Sequence, residues 1–447
     1  MFPTYVSRIR RRPRAGRRSA LWRNRDFLNL WSSSSISQIG AQLGLMAVPL
    51  IAALAMDASP MQMGILTAAG GVPRLLLGFI AGTWVDRLPR RPIMIWTDIG
   101  RAVTFAVVPV AALTDRLTFE LLLAVAVVGG AQSVFFDAAW AATMPSLVDR
   151  KDLADANGKL MTTYSLAQIS GPALAGTLIA WLSGPMVMWI QAATFALSGW
   201  FITRIQGGRA RPEQSAHDEP DFWRELREGL HALFASRVVR PLTTSMAVLN
   251  LGGYIFLSVY VLYMTDDLGL SSRGVGAVFA TGGVGSLLGS VVAAPLANRI
   301  GVGRSILWSA IGFGVFGLLV PLAMLAPSIA LPLVIVAEFS QWGTLQIFNV
   351  NRFSLRQALT PDRLMGRVSA SSTTIIGGMQ PIGSLIGGVI GEVFSVQAAL
   401  LVGVAGMFIA AWWVWDSPVP AIRTLPDHPE DELRHLADEE MPAAVTG

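Results

Sequence analysis

The sequence predicts an all-α membrane protein of about twelve transmembrane helices in two pseudo-symmetric six-helix bundles. Three observations carry this. The chain of 447 residues is 53% hydrophobic and only 14% charged, where a soluble chain carries roughly a quarter charged residues. Apolar runs of about 20 residues, the length that crosses a bilayer as a helix, recur from end to end. Two landmarks then repeat at nearly one offset. Asp86 has a counterpart in Asn298 of Leu296-Ala297-Asn298-Arg299-Ile300-Gly301, 212 residues on (86 to 298). Pro172, in Ser170–Gly176, has a counterpart in Pro381, in Met379–Leu385, 209 residues on (172 to 381). Two independent landmarks at one offset argue for a duplicated six-helix unit.

In order, residues 1–28 form an Arg-rich tail (Arg8, Arg10, Arg11, Arg12, Arg14, Arg17, Arg18). The apolar run behind it is full length and shows no small-residue cleavage site, so the tail reads as cytoplasmic and lipid-facing rather than as an export signal. Six spans follow within 29–204, at about 29–55, 61–84, 92–113, 119–143, 160–183 and 186–204. Residues 205–240 are a polar linker. In it Phe222, Leu226, Leu230, Leu233 and Phe234 recur at helical spacing among Arg and Glu, which predicts an amphipathic helix at the inner surface. Six further spans occupy 241–416, at about 241–264, 272–298, 304–326, 330–350, 366–392 and 395–416. Residues 417–447 are a Pro-rich acidic tail, expected to be disordered.

With the N-terminus inside, the inner loops hold the Arg tail, Arg87, Arg90, Arg91, Arg150-Lys151, the linker, Arg363 and Arg367. The outer loops hold little beyond Asp57, Asp115, Arg116, Asp266, Asp267 and Arg273. That Lys/Arg asymmetry sets both termini in the cytoplasm of a multi-pass protein of the cell membrane. The net charge of +5 therefore belongs to membrane edges and does not point to nucleic acid. There is no cysteine, and the four histidines, at 217, 231, 428 and 435, lie in the linker or tail. Disulfides and thiolate-bound metals are excluded, and no cofactor, metal or enzymatic activity is expected. Neither lysine, Lys151 nor Lys159, sits in a Gly-rich phosphate loop, which excludes a phosphate-loop ATPase.

The hairpin Gly82-Thr83-Trp84-Val85-Asp86-Arg87-Leu88-Pro89-Arg90-Arg91 joins two spans with one acid and three arginines. It resembles the signature loop between the second and third helices of the major facilitator superfamily, through Gly82, Asp86, Arg87, Arg90 and Arg91. Pro89 departs from the family's usual Gly and stiffens the turn without removing a charge. The resemblance implies a substrate path between the two halves near the midplane. Gly171-Pro172 with Gly176 resembles the fifth-helix Gly-Pro-x-x-Gly-Gly motif of drug:proton antiporters, with Ala175 replacing one Gly. Asn24–Trp31, Phe135–Ala139, Met144–Val148 and Asp152-Leu153 with Ala156-Asn157 look like the branch of macrolide-efflux and enterobactin-exporter proteins. The implied activity is proton-driven export of an amphipathic drug, siderophore or secondary metabolite. Its implied partners are protons, a small-molecule substrate and the bilayer, in a monomer. The alternatives are a facilitator-fold importer or lipid flippase, and a non-transporting sensor or scaffold.

Charges inside a bilayer cost a few kcal/mol each and so mark candidate sites. Asp137, toward the inner end of the fourth span, is read with Asp86, Arg87, Arg90 and Arg91 as a gating cluster that locks the inner side when the transporter faces outward; a static ion pair is the alternative. Glu338 in the tenth span is the first proton-coupling candidate, because a carboxyl removed from water can load and unload a proton near neutrality. Asp98 and Arg101, three apart on one helix, can neutralise each other, with Asp98 a second proton candidate. Arg74, near the middle of the second span, can balance Glu338 or Asp137 or hold an anionic substrate. Arg352 lies near an inner edge. Gln38 and Gln42 belong to a first-span pattern resembling the exporters' Gln-x-Gly, with Ala41 where many relatives carry an acid. Gln132, Phe136, Asn250, Tyr254, Phe256, Tyr260, Gln341, Trp342 and Gln346 are further cavity candidates, any of which can equally serve packing.

Overall fold

A computed structural model describes residues 20–149, 152–207 and 222–425. The tail arginines Arg8 to Arg18, Arg150-Lys151, linker residues 208–221 and the acidic tail from 426 lie outside the described residues. So do the side chains of Asp86, Arg87 and Pro172 and the surroundings of Gly82 and Gly176.

Among the described residues the long elements are all helices and there is no strand. The first half holds α1 (Arg25–Met56), α2 (Pro60–Arg87), α3 (Arg90–Leu113), α4 (Phe119–Leu147), α5 (Leu153–Leu182) and α6 (Gly184–Thr203). A short α7 (Phe222–Ala235) precedes the second half. That half holds α8 (Val239–Leu262), α9 (Ser272–Ile300), α10 (Val302–Leu322), α11 (Ala330–Leu359), α12 (Asp362–Val393) and α13 (Val396–Trp415). Ten of these helices are long and apolar enough to cross a membrane by length and composition alone. α2 and α5, at 28 and 30 residues, are long enough to span as well.

Local chemistry fixes the helix ends. The Asn24 side chain accepts from the Asp26 and Phe27 amides and donates to the Leu147 carbonyl, so α1 starts against the end of α4. Ser59 and Gln62 form a capping box on α2 with Pro60 at its first position. α9 and α10 are joined by Gly301 at φ 97°, a left-handed turn that favours glycine. The equivalent turn in the first half runs instead through extended Leu88 and Pro89. Several helices outrun the apolar stretches. α5 begins at Leu153 rather than 160, and α11 runs to Leu359 rather than 350. Their polar ends continue as helix beyond the bilayer thickness, which hydropathy alone does not register.

The packing repeats as the landmarks do. α1 packs on α5 and α6, α3 on α4 and α6, and α2 on α4. In the second half α8 packs on α12 and α13, α10 on α11 and α13, and α9 on α11. Shifting each helix of the first half to its counterpart reproduces every one of these pairs. The two main contacts between halves, α2–α12 and α5–α9, are also exchanged by that operation.

The halves meet at the end opposite the Arg-rich hairpin. There the Met61 amide donates to Glu392 at 3.1 Å. One turn on, Gly64 lies so close to α12 that a Cβ on it would sit 2.6 Å from the Ser384 carbonyl and 2.7 Å from Gly388 Cα. Toward the hairpin end the two helices part: Leu75 still reaches Gly378, while Gly78 and Gly377 face open space. The linker helix α7 packs on α12 and, more lightly, on α8. Leu233 is buried, and Glu228 pairs with Arg367. The expected surface helix thus rests on one half of the protein.

Candidate functional site

The second half holds a half-open cavity of about 250 Å³ between α8, α9, α10, α11 and α13. Its walls are aromatic: Tyr254, Phe256, Tyr260, Phe279, Phe313 and Trp342 all contribute. Asn250 and Gln341 add amides, and Glu338 supplies the only ionisable carboxyl or cation among the lining residues apart from the tyrosines. Glu338 is 1% exposed. Tyr260 Oη donates to its Oε2 at 3.0 Å and Trp342 Nε1 to its Oε1 at 2.7 Å. Phe256 packs tilted and Phe279 edge-on against the Tyr260 ring, with centroids 5.0 and 5.7 Å away, so the donor is held in place. Gly282 leaves room for the pair, since a Cβ there would meet Trp342 at 2.6 Å and Glu338 at 3.0 Å. Burying an ionised carboxylate costs several kcal/mol. Two neutral donors offset part of that, and no cation among the lining residues offsets the rest.

Asp137 lies elsewhere. Arg74 Nη2 donates to its Oδ2 at 3.1 Å, and the two side chains are 69% and 55% exposed. Both side chains are open to solvent, and Arg74 lies within electrostatic reach of Tyr254 on α8 of the other half. An ion pair this wet contributes about 1 kcal/mol or less, so it can be exchanged. The expected Arg90–Asp137 contact is not made in this conformation. Arg90 donates to the Ala142 carbonyl at 2.7 Å, five residues along α4. Arg91 donates to the Ile202 and Thr203 carbonyls at the C-terminus of α6, where a cation meets the negative end of the helix dipole. Both arginines fasten the start of α3 to its own half.

Asp98 and Arg101 form a fully buried pair in the first half. Ser198 also donates to Asp98, at 2.7 Å, and shares a hydrogen bond of 2.8 Å with Ser33, which ties α1, α3 and α6 together. The Arg101 guanidinium lies 4.1 Å from the Phe136 ring and 4.4 Å from that of Phe195. Phe136 is therefore a packing partner of Arg101, and the expectation that it lines the cavity is corrected. Gln132 is corrected likewise: its amide accepts from Thr104 at 3.3 Å and lies over Gly100, facing α3. At about 100° per residue, one helix position decides whether a side chain faces the cavity or the neighbouring helix.

Of the other candidates, Asn250, Tyr254, Gln341 and Trp342 converge on the cavity, as do Phe256 and Tyr260. Gln346 is half-buried on α11 outside that lining. Gln38 is half-buried on α1, and Gln42 packs against Gly171 of α5, joining two motif positions in one helix contact. Sequence reasoning missed Phe279 and Phe313 in the wall, because an aromatic residue in an apolar helix carries no mark of its destination. It also missed Arg356, one helical turn beyond Arg352, because the tenth span was expected to end at about 350 and α11 runs on to Leu359.

Residues 18–443 match the sequence model of a family described as transmembrane secretion effectors. The multidrug efflux pump Tap of Mycolicibacterium fortuitum is 27% identical over 374 residues, 79% of this chain and 88% of that protein. The uncharacterised facilitator-type transporter YfiS of Bacillus subtilis (strain 168) is 28% identical over 403 residues, 86% of this chain and 91% of that protein. Among solved structures, a bacterial homologue of the iron transporter ferroportin in its inward-facing state superposes with a TM-score of 0.70 at 18% identity, over 88% of this chain and 98% of that one.

Proposed function

The chain belongs to the transmembrane secretion effector family of the major facilitator superfamily, and from that premise we propose that it exports amphipathic small molecules by proton antiport. It is a multi-pass membrane transporter. The observation that carries the proton reading is Glu338, a buried carboxyl held by two neutral donors inside an aromatic cavity with no cation beside it. A proton or a substrate cation can each neutralise it, and taking one in exchange for the other couples the two fluxes. The aromatic walls suit an amphipathic ligand. The likeness to a multidrug efflux pump supports export.

The Lys/Arg asymmetry puts the hairpin end on the cytoplasmic side. On that assignment the halves are closed outside and parted inside, which is the state that receives an export substrate. Two six-helix bundles, 29–204 and 241–416, rock about the contacts α2–α12 and α5–α9. As the inner side closes, Asp137 leaves Arg74 for the hairpin cluster of Asp86, Arg87 and Arg90. Two arrangements of similar energy make the gate bistable. The test is uptake of a fluorescent amphipathic dye into inside-out vesicles. Uptake that needs an acid interior, and collapses with a proton ionophore, supports export by antiport. Dye movement indifferent to the gradient, or none across a panel of compounds, contradicts it.

A further inference from the structure

Arg352 and Arg356 lie one turn apart on α11, near the hairpin end. They are 8% and 5% exposed. Neither forms an ion pair among the described residues, and Nε and Nη1 of Arg352 and Nε of Arg356 are buried donors without an acceptor. Their neighbours do not help. Asn351 is committed to the Ser305 hydroxyl at 3.1 Å and the Ile347 carbonyl at 3.0 Å. The Phe353 ring, 5.2 Å from the Arg356 guanidinium, offers only a weak cation–π contact. Two desolvated guanidinium groups one turn apart repel each other and are costly to keep buried unless an anion joins them. Every other buried or half-buried charge described above has a carboxylate, a carbonyl or a neutral donor. This pair is the exception.

We propose that Arg352 and Arg356 form an anion site for a phosphate group. Guanidinium forks match phosphate oxygens in pairs, and two forks at i and i+4 present donors to one tetrahedral anion. The depth suits a lipid headgroup. Arg356 is three residues from the end of α11, about 4.5 Å at 1.5 Å per residue, and Arg352 about 10 Å. Basic pockets between helices at this level bind anionic headgroups. Phe353, exposed beside them, offers an apolar contact for acyl chains. A soluble phosphate presents the same chemistry and is the second source.

The test uses the full chain in detergent, with native mass spectrometry of retained phosphatidylglycerol against phosphatidylcholine and thermal unfolding with inorganic phosphate. About tenfold preference for phosphatidylglycerol, lost in Arg352→Gln/Arg356→Gln, assigns a lipid phosphate. No lipid preference, but stabilisation by inorganic phosphate that the double variant loses, assigns a soluble phosphate. Should that variant not fold, Arg352→Lys/Arg356→Lys keeps both charges without the forks and is expected to weaken binding about threefold. Neither preference nor stabilisation in wild type overturns the site, and so does binding that the variants leave unchanged.

Discussion

Tyr260 on α8 and Glu338 on α11, 78 residues apart in the chain, share a hydrogen bond of 3.0 Å inside the second half. With Trp342 on the other oxygen, the carboxyl has a fixed orientation and both acceptors satisfied. Removing one donor from a buried group costs about 1–3 kcal/mol. Tyr260→Phe and Trp342→Phe are therefore expected to leave the protein folded and to reduce substrate-driven proton release about tenfold. A pH-sensitive dye in inside-out vesicles reads this directly.

The two acid–arginine pairs of the first half are expected to separate under mutation. Arg74–Asp137 is wet, so Arg74→Gln is expected to change stability by about 1 kcal/mol or less while transport falls. Asp98–Arg101 is dry and bonded to Ser198, so Arg101→Gln leaves an unpaired buried carboxylate and is expected to cost roughly 3–5 kcal/mol. Thermal unfolding beside dye uptake distinguishes the two. Equal destabilisation in both variants would remove the gate from Arg74.

Gly64 and Gly388 let α2 and α12 touch at the closed end. Gly64→Val places a side chain against the Ser384 carbonyl, an overpacking expected to cost about 1–3 kcal/mol and to bias the halves apart there. Spin labels at the N-terminus of α2 and the C-terminus of α12 are expected to report a longer distance in the variant, together with lost uptake. An unchanged distance would mean that this contact does not set the conformation.

The fold was legible because membrane helices advertise themselves by length and by where their arginines stop. The repeat was legible because Asp86 and Asn298, and Pro172 and Pro381, stand out from apolar surroundings. Glu338 was legible for the same reason, since an acid inside a span needs a cause. Its setting was not. Tyr260 became its donor, and Phe279 and Phe313 became wall, through the rotation of four helices that no local spacing encodes. Asp137 had Arg74, Arg87, Arg90 and Arg91 within plausible reach, and the conformation decides among them. Phe136 and Gln132 of α4 were assigned to the cavity but pack against α3.

The central claim is that Glu338 couples proton to substrate. The most direct measurement adds a transported compound to inside-out vesicles with an acid interior and follows interior pH in wild type and Glu338→Gln. The account predicts compound-triggered alkalinisation in wild type and none in the variant, with the variant present in the membrane at wild-type level. Alkalinisation of equal size in both would move the proton to another carboxyl and contradict it.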